Sequence, residues 1–290
     1  MNIKTNLSIL GSAGISSNEP DYKEFIQDPG LRRRMSRVIR MSVASAIMAL
    51  NDAGVESIDA IVTGTGWGCL ADTEKFLISI IQNEERLLNP SSFIQSTSNT
   101  VGAQIALMRG DKHYNNTYVH GSSSFESALL DASLLTSEGN KCVLVGGFDE
   151  LTPTKKLLLG RMGMWRHHKS GEGAAFFVLN PYPGINRKGV ISSLEFCPLH
   201  EDYEDLLKRI VKLNSPGTLF LCGYEELIIA LKDLGCRVED YKVLTGEYPT
   251  ASASALLIAL ERLSSENSIE KIILINKYSG DAITIIELSR

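Results

Sequence analysis

The chain has 290 residues, of which 43% are hydrophobic and 22% charged, with a formal net charge of −5. That length allows two domains or one large α/β body, and the acidic balance without a basic run excludes the footprint of a nucleic-acid or membrane-surface binder. The N-terminus lacks a charged segment leading into an apolar core, no apolar run is long enough to span a bilayer, and the five cysteines follow no CxxC spacing; a soluble cytoplasmic protein with reduced thiols is expected.

In chain order, Leu7–Leu10 reads as a short strand followed by a Gly/Ser/Asn/Pro-rich loop. Arg32-Arg33-Arg34 reads as a solvated face. From Ser36 to Asn51 small and apolar residues recur at helical spacing (Val38, Met41, Ala44, Ala49, Leu50), and Gly54 supplies a stop. Asp59–Thr65 is a buried strand. The following Gly64-Thr65-Gly66-Trp67-Gly68 has neither the lysine of a phosphate loop nor GxGxxG spacing, so it reads as a tight strand-to-helix turn. Thr73–Leu87 is helical, Pro90–Ser98 irregular, and Asn99–Leu107 a small-residue helix.

The chain is organised around Tyr118–Gly147, a strand end, a small-residue turn, a buried helix and a second buried strand. Gly121 permits a backbone conformation closed to other residues, and Ser122, Ser123 and Ser124 offer N-cap oxygens to the helix. Ser122 stands at the positive end of the helix dipole, a place suited to a nucleophile or an oxyanion. Leu157–Ser170 reads as a loop. Its His167-His168 pair would point to opposite faces of a strand with no third ligand near, so a solvated pair and no metal site are expected. The strand Phe176–Leu179 then leads to the Pro/Gly-rich joint Asn180–Lys188, where the boundary between residues 1–184 and 185–290 is placed.

The second half repeats the first. Thr250-Ala251-Ser252-Ala253-Ser254 is a small-residue turn running into an apolar helix, followed by the lysine-led strand Lys271–Ile275, as Ser122–Leu130 is followed by Lys141–Val145. The echo predicts two βαβ-type halves related by a pseudo-twofold, packed as one α-β-α-β-α layered body with both helices buried.

On four motifs in the right order the chain resembles the β-ketoacyl synthases of the thiolase fold. Ser122-Ser123-Ser124-Phe125-Glu126-Ser127-Ala128 is similar to the nucleophile turn C-[AS]-S-x-x-x-A. Val143–Glu150 resembles V-x-x-G-G-x-[DE], and Gly171-Glu172-Gly173-Ala174 the G-E-G-A segment. Lys242-Val243-Leu244-Thr245-Gly246-Glu247 resembles K-x-x-x-G-H with the lysine kept and the histidine replaced. The second half is shorter than in full-length synthases. A condensing enzyme needs a thiolate at the helix N-terminus and two histidines that polarise the malonyl thioester. Set against that pattern, the nucleophile position is Ser122, the second histidine is Glu247, and the first histidine position falls in Cys222-Gly223-Tyr224; only Lys242 is retained.

Degenerate synthases of this kind resemble chain-length factors. In that family they pair with an active ketosynthase and help shape the pocket in which the polyketide grows; short members resembling this chain accompany aryl-polyene and flexirubin-type pigment systems. The resemblance implies a ketosynthase partner or a homodimer, an acyl carrier protein as second partner, and no cofactor. It also places Asn115–Val119 as an edge strand across a dimer axis, with Asn99–Leu107 beside it. Two further readings compete with a non-catalytic partner subunit. In one, Ser122 attacks directly as a serine acyltransferase or esterase, with His120 or His200 as base; His120 and Ser122 share a face of an extended strand. In the other, the chain is a homodimeric scaffold that holds acyl carriers without chemistry.

Overall fold

The computed structural model describes residues 2–181, 187–198, 200–278 and 282–290. The chain runs β1 (Asn2–Ile15), α1 (Pro29–Arg34), α2 (Arg37–Ala53), β2 (Ala60–Gly64), α3 (Leu70–Gln82), α4 (Pro90–Ser96), α5 (Thr100–Arg109) and β3 (Tyr114–Tyr118). It continues through α6 (Ser124–Ser137), β4 (Val143–Asp149), α7 (Pro153–Arg161) and β5 (Gly173–Pro181). The remainder is β6 (Gly189–Phe196), α8 (Tyr203–Val211), β7 (Thr218–Cys222), α9 (Glu225–Asp233), β8 (Val238–Asp240), α10 (Lys242–Thr245), α11 (Ala251–Ser265), β9 (Lys271–Asn276) and β10 (Thr284–Ser289). The boundary expected at residue 184 lies outside the described residues.

The strand order is β3-β2-β4-β5-β1-β6-β10-β9-β7-β8. Read inward from either edge, the two halves follow one plan: β6 answers β1, β7 answers β2, β8 answers β3, β9 answers β4 and β10 answers β5. The antiparallel pair β1–β6 at the centre makes the sheet continuous, and β3 and β8 are its edges. This is the pseudo-twofold expected from the repeated turn, helix and lysine-led strand.

Period-two alternation divides the core into layers. In β4, Val143 and Val145 face a cluster with Phe125, Ala128 and Leu129 of α6 and Ala255, Leu256 and Ala259 of α11, while Leu144 and Phe148 face α2 and α5 on the other side. In the second half Leu219, Leu221, Ile272 and Leu274 join the central cluster, and Phe220, Cys222, Ile273 and Ile275 pack on α8 and α9. The order is therefore helices, half-sheet, α6 with α11, half-sheet, helices. The alanines of α6 and α11 let two helices fit between the half-sheets. Replacing fully buried Ala128 by leucine adds volume with nowhere to go, at about 1–3 kcal/mol.

The structure corrects four local readings. β1 is a 14-residue strand, and the glycines read as loop lie within it. A Cβ on Gly11 would stand 2.4 Å from the Ala49 carbonyl oxygen, so glycine is there for the close approach of α2 to the strand. Pro90–Ser96 is helical, with Pro90 in the first turn and the Asn89 side chain accepting the Ser91 N–H. Pro153–Arg161 is likewise a helix, α7, capped by Thr152; a proline in the first turn punctuates the sequence without breaking the helix. The helix expected over Thr73–Leu87 spans Leu70–Gln82. All five cysteines are free thiols, and no helix among the described residues is long and apolar enough to cross a membrane.

Candidate functional site

Gly121 takes φ 57, the left-handed geometry expected of it, and opens a 3-10 turn over Gly121–Ser123 that leads directly into α6. The serines do not cap the helix as expected: the cap position, Ser123, makes no side-chain hydrogen bond to it. Ser124 Oγ instead accepts the His120 N–H at 2.8 Å and lies within hydrogen-bond reach of the Gly121 and Thr65 carbonyls, tying the turn to the end of β2. Ser122 is 1% exposed, and its carbonyl accepts from Asn276 Nδ2 at 3.2 Å. His120 is exposed and its Nδ1 lies 3.0 Å from Ser127 Oγ, so its ring contact goes to Ser127. His200 sits exposed in the turn before α8.

Asn276, at the end of β9, is the joint between that turn and the second half. Its Nδ2 also reaches Glu126 Oε1 at 3.2 Å, and its Oδ1 accepts the Tyr241 hydroxyl at 2.8 Å. Glu126 accepts a further bond from Thr284 Oγ1 at 2.9 Å; burial pushes its carboxyl above the ordinary range.

The next residue, Lys277, brings in the retained lysine. Lys242 is 2% exposed; its Nζ donates to the Lys277 carbonyl and to Glu247 Oε1, the latter at 2.7 Å. Glu247 Oε2 faces His168 Nδ1 at 3.5 Å, and His168 Nε2 lies 2.7 Å from Asp240 Oδ2. The Asp240 hydrogen bond, and then the Glu247 contact, raise the imidazole to about 9 against an opposing desolvation, so it is a cation at neutral pH. The expected solvated histidine pair is corrected here. His167 is exposed and pairs with Glu225, but His168 turns inward between two carboxylates. Its segment is held by backbone: the Glu247 N–H donates to the Lys169 carbonyl at 2.8 Å, and the Gly171 N–H to the Glu247 carbonyl at 3.1 Å. Gly246 (φ 76) and Gly171 make this approach possible, because a Cβ on Gly171 would meet the Thr245 carbonyl oxygen at 2.4 Å.

Asp149, the acidic end of the V-x-x-G-G-x-[DE] strand, forms a second crossing. One oxygen accepts from the Thr65 hydroxyl and the Gly66 and Trp67 amides, the other from the Thr250 amide and hydroxyl, at 2.6–2.9 Å. Burial pushes this carboxyl up to about 6 although those donors oppose it, so it is ionised at neutral pH. Thr250 is the cap position of α11, placed at its start as expected.

Above Lys242 and Glu247 opens a cleft of about 540 Å³. Its walls include His168, Gly223, Tyr224, Glu226, Ile229 and Lys277, and Ser122 is not among them. Cys222, in the segment Cys222-Gly223-Tyr224, is wholly buried, and burial pushes its thiol up to about 12. Among the described residues no group of His, Cys, Asp or Glu could hold a metal ion. Asn276 touches the Ser122 carbonyl and the next residue, Lys277, the Lys242 ammonium, which links the turn at Ser122 to the Lys242–Glu247 pair; sequence reasoning did not single out Asp240 or Asn276 and read His168 as solvated. Only Asp149 carried a signal, as the acidic end of a quoted motif.

The architecture is that of the thiolase-like ketosynthases. Residues 16–155 match the family model for the β-ketoacyl synthase N-terminal domain. A type II PKS acyl-carrier protein in complex with its ketosynthase bound to the hexaketide (AntDE:AntF) is similar at a TM-score of 0.79 and 15% identity, over 99% of this chain and 99% of that one. The ishigamide ketosynthase/chain length factor matches at 0.79 and 14%, over 98% and 99% of the two chains. A β-ketoacyl synthase from Burkholderia phymatum matches at 0.76 and 15%, over 99% and 100%. No curated protein matches the sequence significantly.

Proposed function

We propose that this chain is a non-catalytic subunit of the chain-length-factor type. It pairs with an active ketosynthase in carrier-protein-dependent fatty acid or polyketide synthesis of the aryl-polyene kind, in the cytoplasm. The observation that carries this reading is the ion pair at the second histidine position. Condensation needs a neutral hydrogen-bond donor there to hold a developing oxyanion. Glu247 is an anion locked to Lys242 on one side and His168 on the other, and it would repel that charge. Ser122 brings no thiolate, and the His120 ring is turned to Ser127.

A partner is supported by the apolar residues left exposed on α3, α4, α5 and the edge strand. Ile81 of α3, Phe93 and Ile94 of α4, and Leu107 of α5 are 79%, 54%, 63% and 73% exposed; Tyr114, the first residue of β3, and Val119 just after it are exposed as well. The same surface would serve a homodimeric scaffold. Co-expression with an intact Cys-His-His synthase separates the two: a one-to-one complex is expected, and a homodimer that ignores the synthase would sink the partner reading.

Catalysis tests the rest. Alone with malonyl- and acyl-carrier protein, the chain should form no β-keto product and hold no ester on Ser122. Ser122→Cys should give at most slow self-acylation, and adding Glu247→His should still give poor condensation because Cys222-Gly223-Tyr224 still supplies no histidine. A serine-bound acyl group by intact mass, lost in Ser122→Ala, would establish the acyltransferase instead.

A further inference from the structure

The cleft over Lys242 holds a second amine with different surroundings. Lys242 is buried and paired with Glu247, which leaves its nitrogen no freedom to attack anything. Lys277 is half-buried in the wall of the same cleft, and its Nζ stands over the Tyr224 ring, 3.6 Å from the centroid. Among the described residues it forms no ion pair. The carboxylate that attracts it, Glu226, is engaged with the Tyr224 hydroxyl at 2.5 Å. His167 at the rim pairs with Glu225 and His168 with Asp240, so among the described residues Lys277 is the cation of the cleft without an ion pair of its own. Ile229 and Met164 add apolar wall close by, where a neutral acyl group can lie.

We propose that Lys277 is an acyl-acceptor site, modified on its ε-amine by acyl thioesters that enter the cleft. The proposal rests on the reading that this chain works among acyl carriers. The free amine attacks the thioester carbonyl carbon. The C–N bond forms, the C–S bond breaks, and the thiol leaves with the proton that the nitrogen sheds. The product is an amide and a neutral side chain in place of an ammonium. Desolvation and the nearby Lys242 ammonium both favour the unprotonated amine that this attack requires, and Glu226 and the face of the Tyr224 ring oppose them.

The test uses the full chain and the N-acetylcysteamine thioester of hexanoate. Acylation is mapped lysine by lysine by peptide mass spectrometry at pH 7.5 and at pH 10. At pH 7.5 Lys277 should be modified roughly threefold or more faster than the exposed Lys208 and Lys232, and this advantage should shrink at pH 10 where every lysine supplies free amine. Lys277→Arg should remove that fast site, and Glu226→Gln, which deletes the opposing charge, should speed it. Equal rates at the three lysines, or a Glu226→Gln variant no faster than wild type, would overturn the proposal. Treatment with alkaline hydroxylamine separates this outcome from the fate of the partner reading. An adduct it removes, mapping to Ser122, is an ester and counts against the non-catalytic subunit; the lysine amide survives it.

Discussion

Among the polar crossings that join the halves of this molecule, two are built on opposite principles. At Asp149 a buried carboxylate meets amide and hydroxyl donors that carry no charge, drawn from β2's turn on one side and from the start of α11 on the other. At Glu247 the carboxylate meets two cations, Lys242 and His168, and Asp240 balances the second. The first arrangement is a scaffold, because fixed dipoles hold a charge at little cost in side-chain order. The second lies at the floor of the cleft over Lys242, and it satisfies each charge internally. What the contrast teaches is that a buried charge can be held by neutral donors or by opposite charges: at Glu247 the charges are aimed at one another.

The largest effect expected is at the scaffold. Asp149→Ala strands buried donors from both halves, and unfolding in urea should show a loss of about 3–5 kcal/mol. Glu247→Ala should cost about 3 kcal/mol, because it leaves the Lys242 ammonium, 2% exposed, without its counter-charge. Here the comparison sharpens. The double change Lys242→Met with Glu247→Leu should cost less than Glu247→Ala, whereas no apolar pair can substitute for Asp149. Equal losses in the single and double variants would mean that the ion pair contributes packing rather than charge balance.

A smaller effect is expected from pH. His168 is raised in the fold from 6.5 to about 9, so its contribution is complete below pH 6.5 and is lost as pH rises through about 9. Its surroundings are only partly screened from solvent, so the stability at stake is about 1–2 kcal/mol. A His168→Asn chain should melt lower than wild type at pH 6 and converge on it at pH 10. The smallest effect is at Ser122→Ala, within about 1 kcal/mol of wild type, with the activity of a reconstituted synthase complex unchanged.

Sequence periodicity exposed the parts of the fold that repeat. α6 and α11, β4 and β9 are apolar runs introduced by small residues, and their burial follows from local pattern alone. Elements whose reason lies elsewhere were hidden. Gly11 looks like a loop residue until α2 is seen resting on it, and α7 begins with a proline that reads as a break. At the site, Ser122, Lys242 and Glu247 were visible because each stands in a motif. His168 was not, because nothing near it in sequence hints that Asp240 and Glu247 will close on it from the other half.

The central strand pair also bears on how the chain is made. β1 emerges from the ribosome well before its neighbours in the sheet: Leu7 sits between Pro181 on one side and Ile191 on the other, residues synthesised long afterwards. Until then the nascent chain must carry a 14-residue strand whose hydrogen-bonding edges have no native neighbour. Neither half can complete its sheet early, so assembly waits on contacts distant in sequence, a slow and aggregation-exposed route. Chains stalled just before residue 173 should therefore depend on holding chaperones, and those stalled well beyond β6 should be released from them.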